Sequence, residues 1–369
     1  MRPDFDFFTI FVQGLSSIEV AVAVIGFVSA AAFAGLWATK LGRIILPQPQ
    51  ESRVADFLPF NKLMADGITI RCYNGSFARV FKVEGVDLSF VTDEKSLSMM
   101  EARKSWIDSM SDLQVVCRVI TLRERISMEA DSGDFGNQLL EQISMTWRNN
   151  LDRVYSNGHY IVLSVADRPE ALKDLNYASQ ALLATLNDYG VKPMFETEDS
   201  AAADSPLAIF SKICSPLSKP MPKVRGAEGY QLNELLTADH IHFTDEKGLI
   251  KFFSGDKEMF AIVMGIRSSG DYMDEGMIAS LLSIDCELTM LHNVKPIFKP
   301  HARALLMQQQ RMAAVTSFSP DVINQYSEAL SAIEDSDADY QALTEYAMDI
   351  IIKGETMEEI EFGESEVQR

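Results

Sequence analysis

Residues 66–88 read DGITIRCYNGSFARVFKVEGVDL. Ile68, Ile70 and Cys72 alternate with Thr69 and Arg71, the period of a half-buried strand. Asn74-Gly75 predicts a tight two-residue turn, because both central positions of such a turn take positive φ, so Phe77 to Val83 is expected to pair back as a second strand. Gly85 and the apolar Val86, Leu88 and Phe90 extend the sheet. Thr92 is a plausible helix N-cap with Asp93 and Glu94 in the first turn, and Met99, Trp106, Ile107 and Met110 then share one helical face.

Working outward, Val115 to Thr121 predicts a buried return strand, Leu140, Ile143, Trp147, Leu151 and Val154 an amphipathic helix, and Tyr160 to Val165 a further strand. A third helix opens at Pro169, carries the stripe Leu172, Leu175, Leu182 and Leu186, and is capped by Gly190 before Val191 to Phe195. Strands alternate with helices, but the opening hairpin makes the sheet mixed or antiparallel, which favours an α+β layered domain over a doubly wound one. Glu196 to Pro206 and the proline-rich Ser215 to Pro222 mark a surface excursion or boundary. Beyond it, His240 to Phe243, Leu249 to Phe253, Phe260 to Ile266 and Ile284 to Leu291 predict strands and Met273 to Leu282 a helix. His301 to Val315 and Pro320 to Lys353 predict helices, with an acidic break at Glu334 to Asp339 and a frayed acidic end; no internal repeat is visible.

The chain has 369 residues, more than one ordinary core holds, with 47% hydrophobic and 23% charged residues, a globular composition. Its net charge of −20 repels phosphate backbones and its Lys and Arg are scattered along the chain rather than clustered, so no direct nucleic-acid partner is expected. Cys72, Cys117, Cys214 and Cys286 lie far apart in apolar stretches and are expected to be buried thiols in a reducing compartment.

Val20 to Ala38 carries no charge and is about the length that crosses a hydrocarbon layer of roughly 30 Å. It predicts one transmembrane helix (about 20–38), rather than a signal peptide, since Asp4, Asp6 and Glu19 outweigh Arg2 ahead of it. Lys40 and Arg43 after it put the bulk of the chain in the cytoplasm by the positive-inside rule. The expected fold class is therefore α+β: an N-terminal transmembrane helix, mixed or antiparallel sheet domains with packed helices, and a helical C-terminal region. The expected divisions are 1–46 for the N-terminal segment, 47–196 for an α+β platform domain, 197–226 for a linker or surface excursion, and 227–369 for a second α/β region.

A phosphate-binding loop needs GxxxxGK, and no Gly-Lys dipeptide occurs. ATP hydrolysis by this chain alone is not expected, nor is a cofactor, and no catalytic residue is selected. Asp239, His240 and His242 are the best metal candidate, because alternate strand residues face one side; without a specified third ligand they give only an alternative function, a membrane-anchored metal-dependent hydrolase. Arg118, Arg123 and Arg125 gather positive charge at a strand end, suited to acidic headgroups or a partner.

The region from Phe57 to Arg125 resembles the N-terminal region of the TrbE/CagE/VirB family of conjugal-transfer and type IV secretion ATPases. The likeness lies in the order and spacing of Leu58-Pro59, Asp66-Gly67, Gly75-Ser76-Phe77, Arg79-Val80-Phe81, Gly85 and Asp87-Leu88, with weaker similarity through Ile284 to Met312. The resemblance implies an inner-membrane component of a type IV secretion or conjugal transfer system that acts by protein–protein assembly. It also implies partners among the inner-membrane subunits, a motor ATPase chain or domain docking here, and an oligomer in the assembled machine. Family members carry a C-terminal motor whose motif is not found in this sequence, so the chain is expected to be an N-terminal fragment or a short relative. The expected interaction residues are Arg71, Asn74, Gly75, Arg79, Arg118, Arg123 and Arg125.

Overall fold

In the computed structural model the hairpin expected after Asp66 forms, over residues 69–83, but its turn differs from expectation. Strands β2 (Thr69–Cys72) and β3 (Phe77–Val83) pair antiparallel with Arg71 opposite Phe77. Gly75 alone takes positive φ, 80°, and Asn74 does not. The Gly75 amide donates to the Cys72 carbonyl at 3.1 Å and the Cys72 amide to the Ser76 carbonyl at 2.8 Å, so the loop is three residues ending on a left-handed glycine. Asn74 contributes its side chain instead, its Oδ1 accepting from the Ser76 amide at 3.1 Å.

The structure describes residues 53–86, 91–126, 137–151, 154–196, 204–218, 231–244, 248–266, 275–315, 320–334 and 343–369. An edge strand β1 (Phe60–Leu63) precedes the hairpin and pairs with β2. Helix α1 (Asp93–Leu113) begins where expected: Thr92 Oγ1 accepts from the Lys95 amide at 3.3 Å, and Met99, Trp106 and Met110 are buried. Then follow β4 (Val116–Ile126), α2 (Gln138–Leu151), β5 (Val154–Val165), α3 (Ala171–Thr185) and a short β6 (Val191–Pro193). Two small helices, α4 (Ala208–Cys214) and α5 (Leu232–Leu236), lead to β7 (His240–Phe243), β8 (Ile250–Ser254), β9 (Lys257–Gly265) and α6 (Glu275–Leu281). The chain continues as β10 (Glu287–Pro296), α7 (Lys299–Val315), α8 (Pro320–Glu334), β11 (Thr344–Gly354) and α9 (Met357–Gln368).

The expected fold class requires correction. Among the described residues no helix is long and apolar enough to cross a membrane, so the transmembrane helix expected to lead the α+β fold is not supported; Val20 to Ala38, on which that expectation rests, lies outside the described residues. The C-terminal region is not wholly helical either. Residues 344–354 form a central strand, because Tyr346, Met348, Ile350 and Ile352 alternate with period two and three consecutive isoleucines suit a pleated sheet better than a helix. The acidic end is a capped helix, with Thr356 Oγ1 accepting from the Glu359 amide at 3.3 Å and Ile360 and Gly363 buried.

The regions 47–196 and 227–369 contribute to a single 11-stranded antiparallel sheet in the order β1-β2-β3-β5-β4-β10-β11-β9-β8-β7, with β6 on β3. The order is the same from either edge: β1, β2, β3, β5, β4 from one and β7, β8, β9, β11, β10 from the other. Helices repeat with the strands, α1 and α6 before β4 and β10, α2 and the α7/α8 pair before β5 and β11, and α3 and α9 last. Even the turns match, with left-handed Gly67 and Gly75 around β2 and left-handed Gly248 and Gly255 around β8. The fold is a tandem duplication of topology, and its halves meet at the antiparallel pair β4·β10, where Ile120 faces Leu291 and Cys117 faces Val294.

One sheet face carries α1 and α3, packed on Phe81, Cys117, Ile161 and Leu163. By register, α6 and α9 lie on the same face over the second half, against Leu288, Met290, Ile350 and Ile352. The opposite face of the first half is covered by α4 and α5, through Ile209, Leu232 and Leu236 on Val80, Ile120 and Val162.

A Cβ on Gly67, at φ +68°, would lie 2.6 Å from the Glu196 carbonyl oxygen. Gly67→Ala is therefore expected to lower stability by at least about 1 kcal/mol in urea unfolding, from backbone strain and the clash together.

Candidate functional site

The seven residues expected to form an interaction surface are placed in three settings. Arg71 is exposed on β2, and Asn74 and Gly75 form the hairpin loop with Asp167 packed under the glycine. Arg79 is half-buried and committed to the fold: its Nε donates to Thr69 Oγ1 at 2.9 Å, one terminal nitrogen lies 3.3 Å from Ser179 Oγ, and the other lies 3.7 Å from Asp66. Arg118 is exposed and donates to Ser164 Oγ at 2.8 Å.

Arg123 and Arg125 bridge the two halves of the sheet. Arg123 Nε donates to the Ile284 carbonyl at 3.0 Å, Nη1 donates to Asn157 Oδ1 at 3.2 Å, and the guanidinium lies 4.5 Å from the centre of the Tyr155 ring. The Arg125 amide donates to Glu287 Oε1 at 2.9 Å, and its guanidinium reaches to 3.9 Å from Glu359 of α9. Both arginines thus hold β4 and β5 to the start of β10 and to α9.

Behind them lies a buried charge cluster around a cleft of about 40 Å³ lined by Arg125, Tyr155, Cys286, Glu287, Lys353 and Glu359. Lys353 and Glu287 face each other across β10 and β11. Lys353 Nζ donates to the Lys212 carbonyl of α4 at 3.2 Å, while the Lys212 ammonium pairs with Glu124 of β4. Burial pushes the Lys353 ammonium down against the pull of Glu287 and Glu124. Burial also pushes the Glu287 carboxyl up, opposed by the Arg125 amide and by Lys353. The cluster ties α4, β4, β10 and β11 together; Arg125 was singled out in the sequence, Lys353 and Glu287 were not. The signal available was one lysine closing the apolar run III in β11, a charge that burial must pair.

The metal candidate separates into parts. The Asp239 carboxylate is buried and accepts hydrogen bonds from the Leu217 amide at 2.8 Å and from the Ser218 hydroxyl. His240 and His242 are exposed on β7. Among the described residues no three His, Cys, Asp or Glu side chains gather as metal ligands.

A concavity opens over the second half of the sheet on the helical face, an apolar groove of about 690 Å³. Met264, Met348 and Ile350 form its floor, Leu281 of α6 one wall, and Phe362 and Val367 of α9 the other. Phe362 is 47% exposed and Ile266 at the mouth 43%. Elsewhere, Leu139, Ile143 and Met145 of α2 are exposed.

Burial raises the thiols of Cys214 and Cys286 to about 11 and that of Cys117 to about 12. The unfolded chain releases these protons near the ordinary thiol value of 9.0, while the native chain keeps them, so stability falls as pH rises above that value. At pH 8 alkylation of native Cys286 is expected to run roughly a hundredfold slower than in denatured protein, read by mass spectrometry. Lys353→Met removes the ammonium facing the half-buried Glu287 and is expected to cost about 1–3 kcal/mol in urea unfolding, most of which Lys353→Met with Glu287→Gln restores.

No curated protein matches the chain. Residues 202–368 match the model of the CagE, TrbE, VirB family, component of type IV transporter system. That stretch holds α4 to α9, with Lys353, Glu287 and the groove, and includes Ile284 to Met312; the motifs between Phe57 and Arg125 lie outside it. Over residues 202–368 the chain is thus similar to that family and consistent with membership of it.

Proposed function

We propose that this chain works by assembly, as a scaffold that docks other subunits of a bacterial type IV secretion or conjugal transfer machine at the inner membrane. The apolar groove of about 690 Å³, inside the family-matched stretch, is the observation that carries this reading. An exposed apolar concavity of that size, rimmed by polar groups, suits a protein partner. The charged groups give further support. Arg79, Arg123, Arg125, Asp239 and Lys353 are all engaged by protein partners, so their energy goes into holding the sheet together. Inner-membrane subunits of the same machine and a motor ATPase chain are the partners in this reading.

Co-expression of the full chain with the other subunits of its system, followed by affinity purification and membrane fractionation, tests it. Retention of at least one subunit in fixed ratio, in the membrane fraction, is the expected result. A chain that emerges alone from every pairing and turns over nucleotide by itself would overturn the assignment.

A further inference from the structure

The duplicated fold supplies its own template for the groove. In the first half, α1 is 21 residues long, lies against α3, and buries Trp106 and Met110 on the sheet. In the second half, the helix at the same point of the topology, α6, has 7 described residues, and the groove opens between it and α9. Among the described residues the surface that α1 fills in one repeat is left uncovered in the other, with apolar floor and walls already in place. The charge around it is mainly acidic. Helix α9 carries Glu358, Glu359, Glu361, Glu364 and Glu366, and Asp285 and Glu366 line the groove together with Arg369, which pairs with Glu366 at 2.7 Å.

Resting on the assembly function above, we propose that the groove binds an amphipathic helix of another subunit, about as long as α1, with an apolar face and lysine- or arginine-rich flanks. The apolar face would take the place on Met264, Met348 and Ile350 that α1 takes on the first half. Basic flanks answer the glutamates of α9, which a mainly acidic helix would meet with like-charge repulsion. A second copy is the poorer occupant on the same ground, since each chain carries a net charge of −20.

The probe is a labelled Leu/Lys amphipathic helix as long as α1, added to the full chain and followed by fluorescence anisotropy. Saturable binding is expected, weakened at least about tenfold, or 1.4 kcal/mol, by Phe362→Asp. That substitution adds negative charge, so weaker binding identifies apolar contact and not bulk attraction. Ile266→Asp at the groove mouth is expected to act likewise, whereas Phe243→Asp on the far β7 edge leaves binding unchanged, and circular dichroism reports that each variant is folded. Equal binding by the Phe362→Asp and Ile266→Asp variants, or equal binding of a Leu/Glu helix, overturns the proposal. So does a dimer in sedimentation that Phe362→Asp dissociates, which would make a second copy the occupant. Unchanged co-purification of subunits by the folded Phe362→Asp variant sinks the groove proposal and leaves the assembly function standing. Failure of the unaltered chain to retain any subunit sinks the function itself.

Discussion

The antiparallel pairing of β4 with β10 is the constraint on which everything else depends. These strands are the inner edges of two halves with the same topology, and their pairing makes one sheet of what would otherwise be two. An unpaired inner edge would leave a row of backbone donors and acceptors to be satisfied elsewhere. Pairing also sets the faces, because the register that puts Met290 opposite Thr121 and His292 opposite Val119 carries α1, α3, α6 and α9 onto one side.

Polar contacts reinforce the join from both sides of the sheet. Arg123 and Arg125 reach from the first half to the Ile284 carbonyl, Glu287 and Glu359 in the second. Lys353 and Glu287 lie beneath α4, where the desolvation cost of each charge is offset by the other and by the Arg125 amide and Lys212 carbonyl. Such a cluster adds little net stability compared with an apolar core, but it penalises any slip that would separate its members.

The two halves are alike in topology and unlike in finish. The first has its helical face closed by two long helices and its other face covered by α4 and α5. The second keeps a short α6 and an open groove. Both halves share the same sheet topology, and among the described residues the shorter α6 leaves part of the helical face open without disturbing the strands below it.

The sequence by itself determined the local elements whose cause is local. Asn74-Gly75 specified the hairpin, since a left-handed glycine was needed there, and Thr92 with Asp93 and Glu94 specified the start of α1. The period of Tyr346, Met348, Ile350 and Ile352 was equally present, yet an adjoining helical pattern in α8 obscured it. The join between the halves, the repeat and the groove were decided only by the tertiary structure. Their cause is the pairing of residues far apart in the chain, such as Ile120 with Leu291, which no local period encodes. For the same reason Arg123 and Arg125 read as a free basic patch in sequence and became ties across the sheet once Glu287 and Glu359 were folded against them.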